Sequence, residues 1–135
     1  MTLDATQRNV LIQHKLEKAR TTIDDVRFLI DNGKFVIAVN RMYYGIFYAI
    51  SALALKHQFS TKKHTQLLGW FNKNFVKDGK VEKKFGEIMY LVFDKRSRGD
   101  YDDFVQFTKD EAEELFEGTK AFILAIEHLI TAEEP

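Results

Sequence analysis

Seven side chains in this 135-residue chain have the types and spacing to hold a phosphate, stack a base or move a proton: Arg41, Tyr44, Tyr48, His64, Arg96, Asp100 and Tyr101. Arg41, Tyr44 and Tyr48 fall at i, i+3 and i+7 of the most apolar stretch, so one face of a helix there would carry a guanidinium and two phenols. His64 shares an inward stripe with Leu68, Phe71 and Phe75, and Arg96 continues the inward stripe that reaches Val92. Asp100 and Tyr101 come just beyond. A guanidinium grips phosphate oxygens, a phenol ring gives a base a surface to stack on, and an imidazole titrates close enough to neutrality to exchange a proton.

Two readings of this set stay open. In one, the groups satisfy each other, with Asp100 pairing Arg41 or Arg96 and the hydroxyls and His64 completing an internal network. In the other they line a cleft where Arg41 and Arg96 hold phosphate, the tyrosines stack bases and His64 moves protons. A bundle built only for stability would more cheaply place leucine at these positions. Other chemistries have no footing. The chain has no cysteine, so it offers neither a thiolate metal site nor a cysteine nucleophile. His14, His57 and His128 have no metal-ligand spacing with carboxylates, and no glycine-rich phosphate loop, Gly-x-Ser-x-Gly elbow or His-Glu-x-x-His occurs. No metal and no cofactor is expected.

The elements that must position these residues read as helices. Ile12, Leu16, Ala19, Ile23, Val26 and Ile30 recur at alternating steps of four and three, one stripe of a long amphipathic helix that Asn32-Gly33 ends. A second helix, about Lys34 to His57, is apolar nearly all round and should be the buried centre of a bundle. A third is expected to open with Ser60 or Thr61 as N-cap and run to about Phe75. Asp78-Gly79 turns the chain into a fourth, about Lys80 to Arg98, with Val81, Phe85, Ile88, Met89 and Val92 inward. A loop from Gly99 to Phe107 follows. The capping box Thr108-Lys109-Asp110-Glu111 opens a fifth, which ends near Thr131. The spacing thus predicts an all-α, antiparallel up-and-down bundle of four long helices and one shorter one, a single domain over residues 1–135. Phe116, Ile123 and Ile130 give the last helix a second apolar side, which would suit either a dimer interface or a wide core contact.

Composition agrees with a packed helical domain: 45% of residues are hydrophobic and the one proline is Pro135. The apolar stretch Val36 to Leu55 holds Asn40, Arg41 and three tyrosines, which suits a core helix better than a membrane span. Residues 1–20 lack the order of a signal peptide, so a soluble, cytoplasmic protein is expected. Net charge is zero but unevenly spread: residues 62–98 carry ten basic and four acidic side chains, and residues 99–135 carry two and eleven. The basic middle could follow a phosphate backbone, or the two segments could neutralise each other in the bundle.

The run Ala38-Val39-Asn40-Arg41-Met42-Tyr43-Tyr44-Gly45-Ile46-Phe47-Tyr48-Ala49 resembles the second-helix signature of the HEPN superfamily, in its branch of small uncharacterised proteins. Lys63-His64 is similar to that branch's Lys-Ser-His element, and Arg96-Ser-Arg-Gly-Asp100-Tyr101 to its Arg-x-x-Ala-Asp-Tyr segment; Leu16-Glu17-Lys18-Ala19 and the turn at 32–35 also fit. The resemblance implies a homodimeric helical bundle, often paired with a small nucleotidyltransferase in toxin–antitoxin-like systems, and in many members a metal-independent ribonuclease. Active members carry an arginine, then four to six intervening residues, then a histidine. Arg96 takes the arginine position, but Tyr101, Asp102 and Asp103 stand where the histidine belongs. Arg8 and His14 have the right spacing in the wrong helix. Two functions follow as expectations: binding of RNA, nucleotide or a partner protein without catalysis, or ribonuclease activity with His64 replacing the missing histidine.

Overall fold

The computed structural model describes residues 3–132, and these form five α-helices with no strand among them: α1 (Ala5–Asp31), α2 (Phe35–Lys56), α3 (His64–Phe71), α4 (Lys83–Tyr101) and α5 (Lys109–Ala132). Asp4 caps α1 by accepting from the Gln7 amide at 2.7 Å, while the Gln7 side chain accepts from the Asp4 amide. The helix ends at Gly33, whose φ of +72° is the left-handed conformation that lets the chain reverse; the Lys34 amide then bonds back to the Leu29 carbonyl at 2.8 Å. The short turn sets α2 against α1, and α4 and α5 close over its other sides.

As expected, α2 is the centre. Ala38, Val39, Met42, Ile46, Ala49, Ile50 and Leu53 are fully buried along it, and its inward side includes Tyr43. It is long and apolar enough to cross a membrane, but more than half of that stretch is buried in the bundle. The capping box of α5 forms as read: the Glu111 amide donates to Thr108 Oγ1 and the Thr108 amide to Glu111 Oε1, both at 3.1 Å.

Four boundaries differ from the sequence reading. Thr61 does not cap α3. Its hydroxyl accepts from the Lys63 amide and donates to the Gln66 side chain, so the helix starts at His64. The same helix passes into a π-helical turn, Asn72–Val76, which keeps Phe75 in the core, its ring 5.6 Å from Phe71 and 5.4 Å from Trp70. Helix α4 starts at Lys83 rather than Lys80 and absorbs Gly99, Asp100 and Tyr101, which the sequence assigns to a loop. Gly99 permits this because a Cβ there would meet Val36 Cγ1 at 3.1 Å. Asp100 supports it by pairing with Arg96 one turn back.

The second apolar side of α5 is core and not spare surface. Phe116, Ile123 and Ile130 are all buried within the one chain, which removes the reason for reading them as a dimer face. The acidic end pairs only in part as expected: Asp100 meets Arg96 of the basic middle at 2.9 Å. Arg27 on α1 binds Glu113 of α5 as well as Asp31 on its own helix, and Arg20 binds Glu127 at 3.1 Å, so α1 shares that pairing.

Helices α4 and α5 touch most closely where Ile88 lies over Gly118. A Cβ at 118 would stand 2.7 Å from Ile88 Cδ1 and 2.9 Å from its Cγ1. Alanine in a helix interior normally gains about 1 kcal/mol over glycine, but forcing a packed side chain aside costs about 1–3 kcal/mol. Gly118→Ala is therefore expected to destabilise the fold by up to about 2 kcal/mol. The check is a lower urea midpoint with an unchanged m-value; a higher midpoint would mean that Ile88 moves freely.

Candidate functional site

The site is built on one stripe of α2, whose 3.6-residue repeat brings Asn40, Tyr43, Tyr44 and Phe47 to the side facing α4 and the start of α3. Arg96 enters from α4 with a side chain only 18% exposed. Its guanidinium carbon lies 4.8 Å from the centre of the Tyr43 ring and 5.5 Å from that of Tyr44, and its Nη2 donates to the Tyr44 hydroxyl at 3.2 Å. Electron-rich ring faces thus supply part of what water would give a charge at the surface.

The counter-charge comes from the same helix. Asp100 Oδ2 lies 2.9 Å from Arg96 Nε, but the N–H is not aimed along the line of a hydrogen bond, so the attraction is that of an ion pair. The Asn40 amide donates to both Asp100 oxygens at 3.3 Å and fixes the carboxylate between α2 and α4.

His64 closes the other flank. As the first residue of α3 it stacks on Phe47 at 4.1 Å, and its Nδ1 lies 2.9 Å from the Tyr43 hydroxyl. Burial, and after it the positive charge of Arg96, hold the imidazole below its usual value, favouring the neutral ring. Burial likewise pushes the Tyr43 phenol up to about 12, against the opposing pull of Arg96, so Tyr43 stays protonated. The result is a neutral imidazole and a guanidinium around the same two phenol rings, with a carboxylate behind the guanidinium.

Of the seven residues singled out from sequence, Tyr44, His64, Arg96 and Asp100 come together here. Arg41 does not pair with Asp100; it lies over the outer side of the Tyr44 ring at 5.0 Å. Tyr48 sits next along α2, its ring 6.2 Å from Tyr44 and capped by Lys18 at 4.8 Å. Tyr101 is at the exposed end of α4, 83% accessible, near the equally open Phe104. Sequence reasoning missed Asn40, Tyr43 and Phe47. Tyr43 looks like core, and its ring is 1% exposed, yet its hydroxyl is what engages His64. Asn40, a polar residue in an apolar helix four positions before Tyr44, carried a signal of its own. Among the described residues no group of three or more His, Asp or Glu side chains is arranged to hold a metal.

Residues 12–129 match the HEPN domain family. A UPF0332 protein of Thermotoga maritima is 37% identical over 124 residues, which is 92% of this chain and 94% of that protein. Two proteins of Methanocaldococcus jannaschii, each provisionally named a toxin, are 30% identical over 112 residues, covering 83% of this chain and 76% and 83% of their own lengths. A family match from α1 almost to the end of α5, over a helical bundle that gathers an arginine and tyrosines as the family's signature anticipates, makes this chain a member of the HEPN family.

Proposed function

We propose that this chain is the RNA-directed member of a toxin–antitoxin-like pair, acting as a homodimer in the cytoplasm beside a small nucleotidyltransferase. RNA phosphate and bases are taken by the polar face of Arg41, Tyr44, Tyr48, Arg96 and Tyr101, with Asp100 setting how far the Arg96 guanidinium is free for phosphate. The observation that carries this reading is Arg96 itself: a guanidinium held over two phenol rings at the rim of a helical core, where leucine would serve stability better. The relatives provisionally named toxins point the same way. Binding of a labelled single-stranded RNA, followed by fluorescence anisotropy against salt, tests it. Affinity should fall steeply as salt rises, and no binding at low salt would overturn the reading.

A second reading has its own support. His64 is held neutral beside Arg96, which is the state a general base needs, so the chain would cleave RNA without metal even though no histidine follows Arg96 at the family spacing. In that role His64 takes the proton of a 2′-hydroxyl, the resulting oxygen attacks the adjacent phosphorus, and the P–O bond to the 5′-oxygen breaks as that oxygen takes a proton from water, with Arg96 balancing charge on the phosphate. Cleavage in excess chelator that His64→Ala removes would establish it. Intact RNA after incubation with folded protein would leave binding alone.

A further inference from the structure

The cations of α1, α2 and α4 are not equally matched. Arg20, Arg27, Arg96 and Arg98 each lie within ion-pair distance of a carboxylate. Lys18 and Arg41 have no such partner among the described residues; each is placed over a phenol ring instead, Tyr48 and Tyr44 respectively. Together with His14, Thr21 and Tyr48 they line a depression of about 370 Å³ between α1 and α2. Glu17 also lines it, its Oε2 lying 3.3 Å from Nη1 of Arg20, which is outside the lining. Two positioned cations beside a single carboxylate that Arg20 already engages make a receptor for an anion.

Its place relative to the main site narrows what that anion is. Arg41 and Arg96 share the Tyr44 ring, at 5.0 and 5.5 Å, so the depression opens one ring away from the guanidinium that Asp100 already balances. Arg41, Tyr44 and Tyr48 span about 10 Å of α2 at 1.5 Å per residue. A run of cations beside aromatic rings over that length follows a strand backbone rather than a single isolated phosphate.

We propose that Lys18 and Arg41, with His14 at the edge, form a second phosphate subsite that holds a phosphodiester of a bound single-stranded RNA adjacent to the one at Arg96. This rests on the RNA-directed reading above. It adds α1 to the binding surface and gives the strand a path from α4 across α2.

The test is the salt dependence of anisotropy binding to a short fluorescein-labelled single-stranded RNA, for wild type, Lys18→Gln, Arg41→Gln, the double variant, Arg41→Lys and Lys84→Gln in the α4–α5 groove. Each lost phosphate contact should reduce the slope of log affinity against log salt by about 0.7. Lys18→Gln and Arg41→Gln should each show that reduction, and the double variant about twice it. Arg41→Lys and Lys84→Gln should keep the wild-type slope. Lys18 is exposed, so Lys18→Gln carries the test even if Arg41→Gln fails to fold. Wild type that binds RNA with a slope unchanged in the Lys18→Gln and Arg41→Gln variants overturns the subsite and leaves the RNA-directed reading standing. Wild type that does not bind overturns both.

Discussion

Arg96→Ala is expected to lower folding stability by about 2–3 kcal/mol and to weaken RNA binding by roughly tenfold or more. The stability loss sums one hydrogen bond from a charged donor to Tyr44, two ring contacts and an ion pair whose partners are 18% and 26% exposed. In a chain of this size the melting temperature should fall by about 6–12 °C, read by circular dichroism. A loss in both properties does not by itself separate support from binding. Asp100→Asn does. It keeps the shape of the side chain and one of the two bonds from Asn40 while removing the charge that balances Arg96. Stability should drop modestly and RNA affinity should rise, because the guanidinium is released for phosphate. If the cluster were only a stability device, both variants would lower the melting temperature and neither would change binding.

The difference between what the sequence disclosed and what it hid follows the range of the interaction. The turn at Gly33, the capping box at Thr108 and the apolar surround of α2 are local. Each is set by residues within a few positions, and each was legible. The end of α4 was not, because three residues that look like a loop are held helical by partners far along the chain: Gly99 against Val36, Asp100 against Asn40. The π-helical turn after α3 was hidden for a related reason, since the pull on Phe75 comes from an aromatic cluster that includes Trp70 and His57. A stripe of apolar residues says that something covers it without saying what, which is how Phe116, Ile123 and Ile130 could suggest a partner when their own core covers them.

The candidate site obeys the same rule. Arg41, Tyr44, Tyr48, His64 and Arg96 stand out because their polarity conflicts with their helix positions. Tyr43 does not conflict, since a phenol ring satisfies an apolar position and only its oxygen reveals the second task. Which carboxylate answers which arginine was open in the sequence, and the structure closes it in favour of Arg96 with Asp100 because the two are one helical turn apart.

Tyr43→Ala is expected to cost about 3–5 kcal/mol, the scale of a fully buried aromatic truncation, and to bring the chain close to unfolding. Tyr43→Phe keeps the ring contacts with Tyr44, Phe47, Phe93 and Arg96 and removes only the hydroxyl that meets His64, at about 1 kcal/mol. The conservative variant is the informative one because of His64. Its folded-state value lies below the unfolded value of about 6.5. Between the two values the unfolded chain holds more protons, so this contribution to stability is full above the unfolded value and is lost as pH falls through the folded one. Urea midpoints measured across that range should therefore drop on acidification in wild type and drop less in His64→Gln. The response of Tyr43→Phe depends on which way the hydrogen bond runs. If the Tyr43 hydroxyl donates to Nδ1, it stabilises the neutral imidazole, and its removal makes stability less sensitive to acid. The neutral ring then carries its proton on Nε2 and can offer a substrate only a donor, which favours binding over cleavage. If Nδ1–H donates to the Tyr43 oxygen, Nε2 keeps its lone pair and is poised to take a proton from a 2′-hydroxyl. Imidazole 15N shifts of His64 in the folded protein distinguish the two tautomers, and only the second sustains the ribonuclease reading.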